Sequence, residues 1–234
     1  MWDLSFANVV NEEGERQFHI GRLPRNGPFY LIMASVSYIL PPMSKKLSEM
    51  TLEELWKLFP ISLVPPNGKW KEHFLEMEGL LRDVFAKCGT EGSTKVKVHR
   101  ISHIGSTAIK GIWAKDIVDI LVELDSSTNL KTTAKALEHF CFIIMSNSDT
   151  KISLNYGYTE KGFAEKVYHI HLRHTGDCDE IYFRDYLNSH ENVAKEYETL
   201  KLKLWKQFEF DRDGYTNAKT DFIAKVMKMA KTNL

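Results

Sequence analysis

The sequence predicts a mixed domain of the α+β or α/β class, with a small mixed sheet flanked by helices and a helical C-terminal tail. Three observations carry this. Strand-like runs at 96–104 and 116–124 flank a Gly-Ser turn. A third alternating run stands at 167–174. Beyond residue 180 the apolar residues recur at the three- and four-residue steps of amphipathic helices.

The bulk numbers fit one such domain with an appendage. The chain has 234 residues, 43% of them apolar and 12% aromatic, enough to build a core. Its formal net charge is zero. It therefore lacks the electrostatic footprint of a nucleic-acid binder, and a small-molecule or protein substrate is the expectation. Cys88, Cys141 and Cys178 are odd in number and form no CxxC pair. Reduced thiols in a cytoplasmic protein are expected, not a disulfide framework or a cysteine zinc site. The apolar run Phe29–Leu40 is too short for a bilayer at about 1.5 Å per residue. It also lacks the basic start and cleavage site of a signal peptide, so no membrane partner is expected.

Residues 1–42 carry the turn signals NEEGE, LPRNGP and PP and read as an appendage, with a strand or hairpin arm over 29–40. Met43 opens a passage that reads as a start in itself, and 43–234 as the main domain. Residues 43–60 predict a short helix capped by Ser48 or Thr51, with Glu54 completing a capping box. Trp70, Phe74, Met77, Leu81, Val84 and Cys88 mark a helix over 70–87, closed by 89–93. Then come the strand 96–104, a turn and short helix over 105–114, and the strand 116–124. On that second strand Val118, Ile120, Val122 and Leu124 share one face, and Ile117, Asp119, Leu121 and Glu123 the other. A helix at 130–140, a strand or hairpin region at 142–158 and the strand 167–174 follow. The tail reads as helices over 180–189, 191–210 and 213–232.

Several residues carry chemistry. Gly105 lets the chain turn without a Cβ, and the N–H groups of the short helix after it attract phosphate, aided by the Ser106 and Thr107 hydroxyls. Asp119 interrupts an apolar strand, where aspartate is rare unless paired or metal-bound. A carboxylate there suits Mg²⁺. His169, His171 and Arg173 share one strand face, which implies that the face meets water or a cleft. Two histidines at i and i+2 suit a transition metal such as Zn²⁺, or one of them serves as a base; Arg173 suits phosphate. His103, just before the turn, joins this group as a candidate phosphate contact. Lys219 either snorkels beside the buried stripe of the last helix or reaches a phosphate. Arg184 and Asp185 read as a local ion pair or helix-end contact. His99 is more weakly placed, and His19, His73, His139, His174 and His190 read as incidental.

Taken together, the segments HIGSTAIKGIWAKDIVDILV (103–122), YHIHLR (168–173), YFRDYLNSH (182–190) with EYETLK (196–201), and YTNAKTDFI (215–223) resemble the GrpB family. The resemblance runs from about Met43 to the C-terminus. It implies an α+β nucleotidyltransferase-superfamily fold, in which Gly105 and Ser106 cradle phosphate and Asp119 is the first metal ligand. The expected partner is a nucleotide or phosphorylated small molecule, with nucleotidyl or phosphoryl transfer as the reaction and Asp119 and His171 as its catalytic residues. The departures are specific. Leu121 stands where the superfamily usually has a second acid. Glu123, on the same face, lies about 13 Å from Asp119 at ~3.3 Å per residue, too far to share an ion. Lys110 and Asp116 occupy positions that are typically proline in the family. Their presence predicts a freer loop and an added charge near the phosphate site. Two rival readings stand beside the enzyme: a non-catalytic anion-binding module, and a hydrolase with a metal at Asp119, His169 and His171.

Overall fold

The computed structural model describes residues 6–10, 16–20, 45–87 and 96–232. The chain divides into two units, 1–44 and 45–234. In the first, strands β1 (Phe6–Val10) and β2 (Arg16–Ile20) pair antiparallel on either side of the NEEGE turn signal. The arm expected over 29–40, Met43, Cys88 and the closing turn at 89–93 lie outside the described residues.

The second unit opens with α1 (Leu52–Leu58). Its capping box forms as the residue types dictate: Glu54 N–H donates to Thr51 Oγ1 at 3.2 Å, and Thr51 N–H donates to Glu54 Oε2 at 2.7 Å. The helix is shorter than 43–60 implies, because only a single 3₁₀ turn, Leu47–Glu49, precedes it. Next comes α2 (Lys69–Lys87), which buries Trp70, Met77, Leu81, Val84 and Phe85. Strands β3 (Val98–Ile104) and β4 (Val118–Leu124) flank the Gly-Ser turn. Then come α3 (Leu130–Glu138), β5 (Ile143–Asn147), β6 (Lys151–Thr159) and β7 (Gly162–His174). The region 142–158 thus resolves into β5 and most of β6, and β7 begins five residues earlier than the alternation predicts.

These strands form one five-stranded mixed sheet in the order β3-β4-β7-β6-β5. Only the β4–β7 pair is parallel; the other pairs are antiparallel. The architecture is α+β, as the sequence predicts. One face of the sheet carries Val118, Ile120, Val122, Tyr168, Ile170, Leu172, Ile152 and Leu154, and packs against α2 and α3 to form the main core.

The other face is the mixed one, and most of it is covered. Helices α4 (Asp179–Ser189) and α5 (Glu191–Gln207) follow β7. Cys178 and Ile181 close over Ile104 and Leu121. Glu123 is buried against Arg100, whose Nε donates to its Oε2 at 2.5 Å. Asp119 is the only β4 residue that is not buried. The polar face therefore opens at one end rather than along its length.

The helix expected over 213–232 is two helices, α6 (Arg212–Asn217) and α7 (Thr220–Thr232). Asp211 caps the first, accepting from Gly214 N–H at 2.8 Å. The apolar spacing runs on through the break, so periodicity alone conceals it. The break leaves Lys219 at the junction, with its ammonium 4.4 Å from the centre of the Tyr215 ring. Among the described residues no helix is long and apolar enough to cross a membrane, and Cys141 and Cys178 are free thiols.

Ile120 is fully buried in the main core. Ile120→Ala is expected to lose about 2–5 kcal/mol of stability, the range for large-to-small core changes. A urea titration should show a lower midpoint with an unchanged slope.

Candidate functional site

Gly105 sits at φ +70°, and a Cβ built on it would lie 2.3 Å from Asp119 Oδ2. Two constraints therefore demand glycine here: the left-handed backbone and the carboxylate packed against the turn. The pairing of β3 and β4, with Ile104 opposite Asp119, brings the two together. Ser106–Ala108 form one 3₁₀ turn, not the helix N-terminus that the sequence implies. The segment after Gly105 therefore offers no helix end to attract phosphate.

Parallel pairing of β4 with β7 sets Asp119 beside His169. His169 Nδ1 is 3.0 Å from Asp119 Oδ1, and His171 Nε2 is 3.8 Å from the same oxygen. Burial pushes the Asp119 carboxyl up, but the two imidazoles outweigh it and hold the group well below the usual carboxylate range. Asp119 is therefore ionised at neutral pH. The far side of His169 is also engaged: its Nε2 lies 2.9 Å from the Tyr158 hydroxyl, which accepts from Arg212 Nη2 at 3.0 Å. His171 Nδ1 lies 3.3 Å from Ser153 Oγ.

Asp119 and His171 face a cavity of about 440 Å³ between the open end of the sheet and the helices. Gly105, Ser106 and Lys219 line it, as do three residues that sequence reasoning missed: Lys115, Tyr197 and Lys201. Burial pushes Lys115 and Lys201 down to about 7 and Lys219 down to about 8. Neighbouring cations add to the effect, Arg212 and Lys219 for Lys115, and Lys219 for Lys201. Lys201 donates to the Trp113 carbonyl. Its signal was present in the sequence: on α5, Ala194, Tyr197, Lys201 and Leu204 form one buried stripe, and lysine is out of place there. Lys115 had no such signal, since it lies in a loop. Asp179 and Glu180 line it too, the first paired with Lys231 at 2.7 Å and the second 3.6 Å from Arg173. The cavity thus sets an ionised carboxylate near three desolvated ammonium groups, an arrangement suited to an anion held together with a cation.

The other candidate residues lie elsewhere. His103 stacks on Phe74, with ring centres 5.1 Å apart, and its Nε2 is 2.9 Å from Thr107 Oγ1. Burial pushes its pKa down to about 4. Thr107 is buried and donates to the Ile117 carbonyl at 3.3 Å, so this pair braces the turn from inside. Arg173 is buried beneath α4, donating to the carbonyls of Leu172 and Ile152 and lying 3.6 Å from Glu180. None of the three lines the cavity. Arg184 and Asp185 do form their ion pair at 2.7 Å, and Arg184 Nη1 also donates to the His103 carbonyl at 2.8 Å.

The loop after the turn is not freed by its missing prolines. Asn188 brackets it, donating to the Ala108 carbonyl at 3.0 Å and accepting from Lys110 N–H at 2.9 Å. Glu198 accepts from Trp113 N–H at 2.7 Å, and Lys195 donates to the Gly111 carbonyl at 2.6 Å. Asp116 adds no charge to the cavity wall: its Oδ1 accepts from the Trp70 indole at 2.7 Å, and it does not line the cavity.

Residues 60–229 match the model of the family described as GrpB protein. The chain is 31% identical to the glutamate-rich protein GrpB of Alkalihalophilus pseudofirmus, over 71% of this chain and 94% of that protein. It is 30% identical to the UPF0157 protein YqkA of Bacillus subtilis over 97% of this chain, but spans only 64% of that relative's length. Among solved structures it resembles the conserved protein GrpB from Enterococcus faecalis, with a TM-score of 0.59 and 23% identity over 74% of this chain and 98% of that one. A looser likeness is to the Cid1 poly(U) polymerase with MgGTP bound: TM-score 0.42 and 14% identity over 67% of this chain and 47% of that one.

Two outcomes test the site's physics. Gly111 also sits at φ +70°, but a Cβ added there would meet nothing within 4 Å. Gly111→Ala is therefore expected to lose only backbone strain, about 1–2 kcal/mol, and Gly105→Ala distinctly more; paired thermal denaturation measures the difference. The second concerns pH. The cavity lysines titrate lower when folded than their unfolded value of about 10.4. From pH 7 to about 10 the unfolded chain therefore binds more protons, and these groups make stability rise with pH. Lys201→Met is expected to flatten that rise, read as urea midpoints at pH 7 and 9.

Proposed function

The chain belongs to the GrpB family, and on that premise we propose that it is a nucleotidyltransferase-like protein whose cavity binds a nucleoside triphosphate or similar phosphorylated small molecule together with Mg²⁺. The observation that carries this reading is the convergence of Lys115, Lys201, Lys219, the Gly105-Ser106 turn and the ionised Asp119 on one cavity. Ammonium groups in a water-poor cavity gain most from an anion that restores their charge. In this reading the lysines and the Ser106 hydroxyl hold phosphate oxygens, and Tyr197 walls the cavity.

The donor set at Asp119 fits Mg²⁺ of a particular kind. Mg²⁺ usually keeps several waters and is held by one or two carboxylates plus substrate phosphates. Asp119 supplies one carboxylate that stays ionised, packed where a Cβ at residue 105 would otherwise stand. Bound there, the ion would neutralise charge on the phosphates. Among the described residues no group of three His, Cys, Asp or Glu side chains is arranged to hold a metal by itself. Both ring nitrogens of His169 already have partners. A histidine-held transition metal is therefore no part of this proposal. His171 is the residue we assign to accept a proton, at Nε2, from an acceptor hydroxyl.

One observation favours a second reading, binding without turnover. Leu121, where a second acid is usual, is fully buried with Ile104, Cys178 and Ile181. Glu123, the other carboxylate of the strand, is buried against Arg100, so no second acid stands beside Asp119 for a two-metal site.

Isothermal titration with MgATP tests the proposal. Lys219→Ala is expected to weaken binding about ten-fold or more, the value of a hydrogen bond to a charged group. Asp119→Asn is expected to abolish Mg²⁺-dependent nucleotide consumption. Binding with no consumption by the wild type supports the second reading. Failure of every Mg²⁺-nucleotide to raise the melting temperature would sink both.

A further inference from the structure

A chain of hydrogen bonds runs from the C-terminal helices, through the sheet, to Asp119. Arg212, at the start of α6, donates from Nη2 to the Tyr158 hydroxyl at 3.0 Å. Tyr158, on β6, meets His169 Nε2 at 2.9 Å, and His169, on β7, meets Asp119 Oδ1 on β4 at 3.0 Å. Arg212 is itself fixed. Its Nη1 donates to the Phe59 carbonyl at 3.1 Å, and its guanidinium lies over the rings of Tyr158 and Phe163 at 5.7 and 5.9 Å. Phe59, Tyr158 and Phe163 pack against one another with ring centres about 5 Å apart.

Both ends of this chain have fixed polarity. A guanidinium only donates, and an ionised carboxylate only accepts. The Tyr158 oxygen must therefore accept from Arg212, which leaves its own hydrogen to be donated onward. His169 Nε2 must then accept, so the ring proton sits on Nδ1, where it donates to Asp119. For a neutral imidazole the opposite tautomer would set a bare Nδ1 against the carboxylate, two acceptors face to face. We infer that Tyr158, held by Arg212, is a positioning residue: it donates to the bare Nε2 of His169, holds the ring from the side away from Asp119, and thereby keeps the carboxylate oriented against the Gly105 turn.

This goes beyond the family motifs, since Tyr158 and Arg212 lie outside the segments that carry the resemblance. It places the support of the site in four different elements, so that α6 reports on the strand carboxylate. The functional weight of the chain rests on the role proposed for Asp119, but the tautomer itself does not.

The test uses the full ¹⁵N-labelled protein without ligand. Long-range ¹H–¹⁵N spectra, with His169 assigned through a His169→Gln variant, read the tautomer directly. The wild type is expected to show a single Nδ1–H form. Tyr158→Phe is expected to keep the Nδ1–H form, which Asp119 holds, but to move the Nε2 resonance downfield, toward that of a bare imidazole nitrogen, because its donor is gone. Arg212→Lys is expected to retain the wild-type shifts, because an ammonium also only donates. An Nε2–H form in the wild type overturns the inference, and so does an Nε2 resonance unchanged in Tyr158→Phe. The wild-type spectrum decides even if a variant folds poorly. With MgATP, Tyr158→Phe is expected to lose about ten-fold in affinity, the usual scale for a residue that orients a ligand's neighbour. Asp119→Asn is titrated beside it. An unchanged affinity in that variant overturns the functional reading of Asp119 while the ligand-free spectra still decide the positioning role.

Discussion

One carboxylate on an otherwise buried strand organises this molecule. Asp119 cannot be left unpaired where it stands, because a desolvated charge costs several kcal/mol unless it is hydrogen-bonded. The sheet meets that demand by placing β7 parallel to β4, so that His169 and His171 flank the carboxylate from a neighbouring strand. The turn meets it from the other side by having no Cβ at residue 105. Strand order, the glycine and the histidines are parts of one solution to one electrostatic problem.

The loop from Gly105 to Asp116 is the second structural theme, and helices hold it. Asn188, Lys195, Glu198 and Lys201 each bond to its backbone. The segments YFRDYLNSH and EYETLK, which carry the family resemblance, supply Asn188, Glu198 and Lys201. All three reach the backbone of this loop. Lys201 serves the cavity as well, which ties the rigidity of the loop to the charge of the site.

Burial of Lys115, Lys201 and Lys219 near one another works against the stability of the ligand-free protein at neutral pH. Such a conflict between local stability and charge is common where a protein binds something charged. The apolar contacts of Ile109, Ile112, Leu187, Ala194, Tyr197 and Val226 hold the helices together beside the cavity and offset the cost.

The sequence by itself determined the element order from α2 to α3, the capping box at Thr51 and the apolar stripes of α2, β4 and β7, because period and cap chemistry are local. It also exposed Gly105 and Asp119, whose residue types are anomalous where they stand, and Lys219 beside the last stripe. Only the tertiary structure decided which polar residues share a cavity. His103, Thr107 and Arg173 had the right chemistry, yet their side chains are spent inside the protein on Phe74, on the turn and on β-strand carbonyls. Lys115, Lys201, Tyr158 and Arg212 come from a loop, a strand and two helices whose meeting no local pattern encodes. Whether a polar side chain faces a ligand or a neighbour depends on what packs against it, and that is set by contacts between segments far apart in the chain.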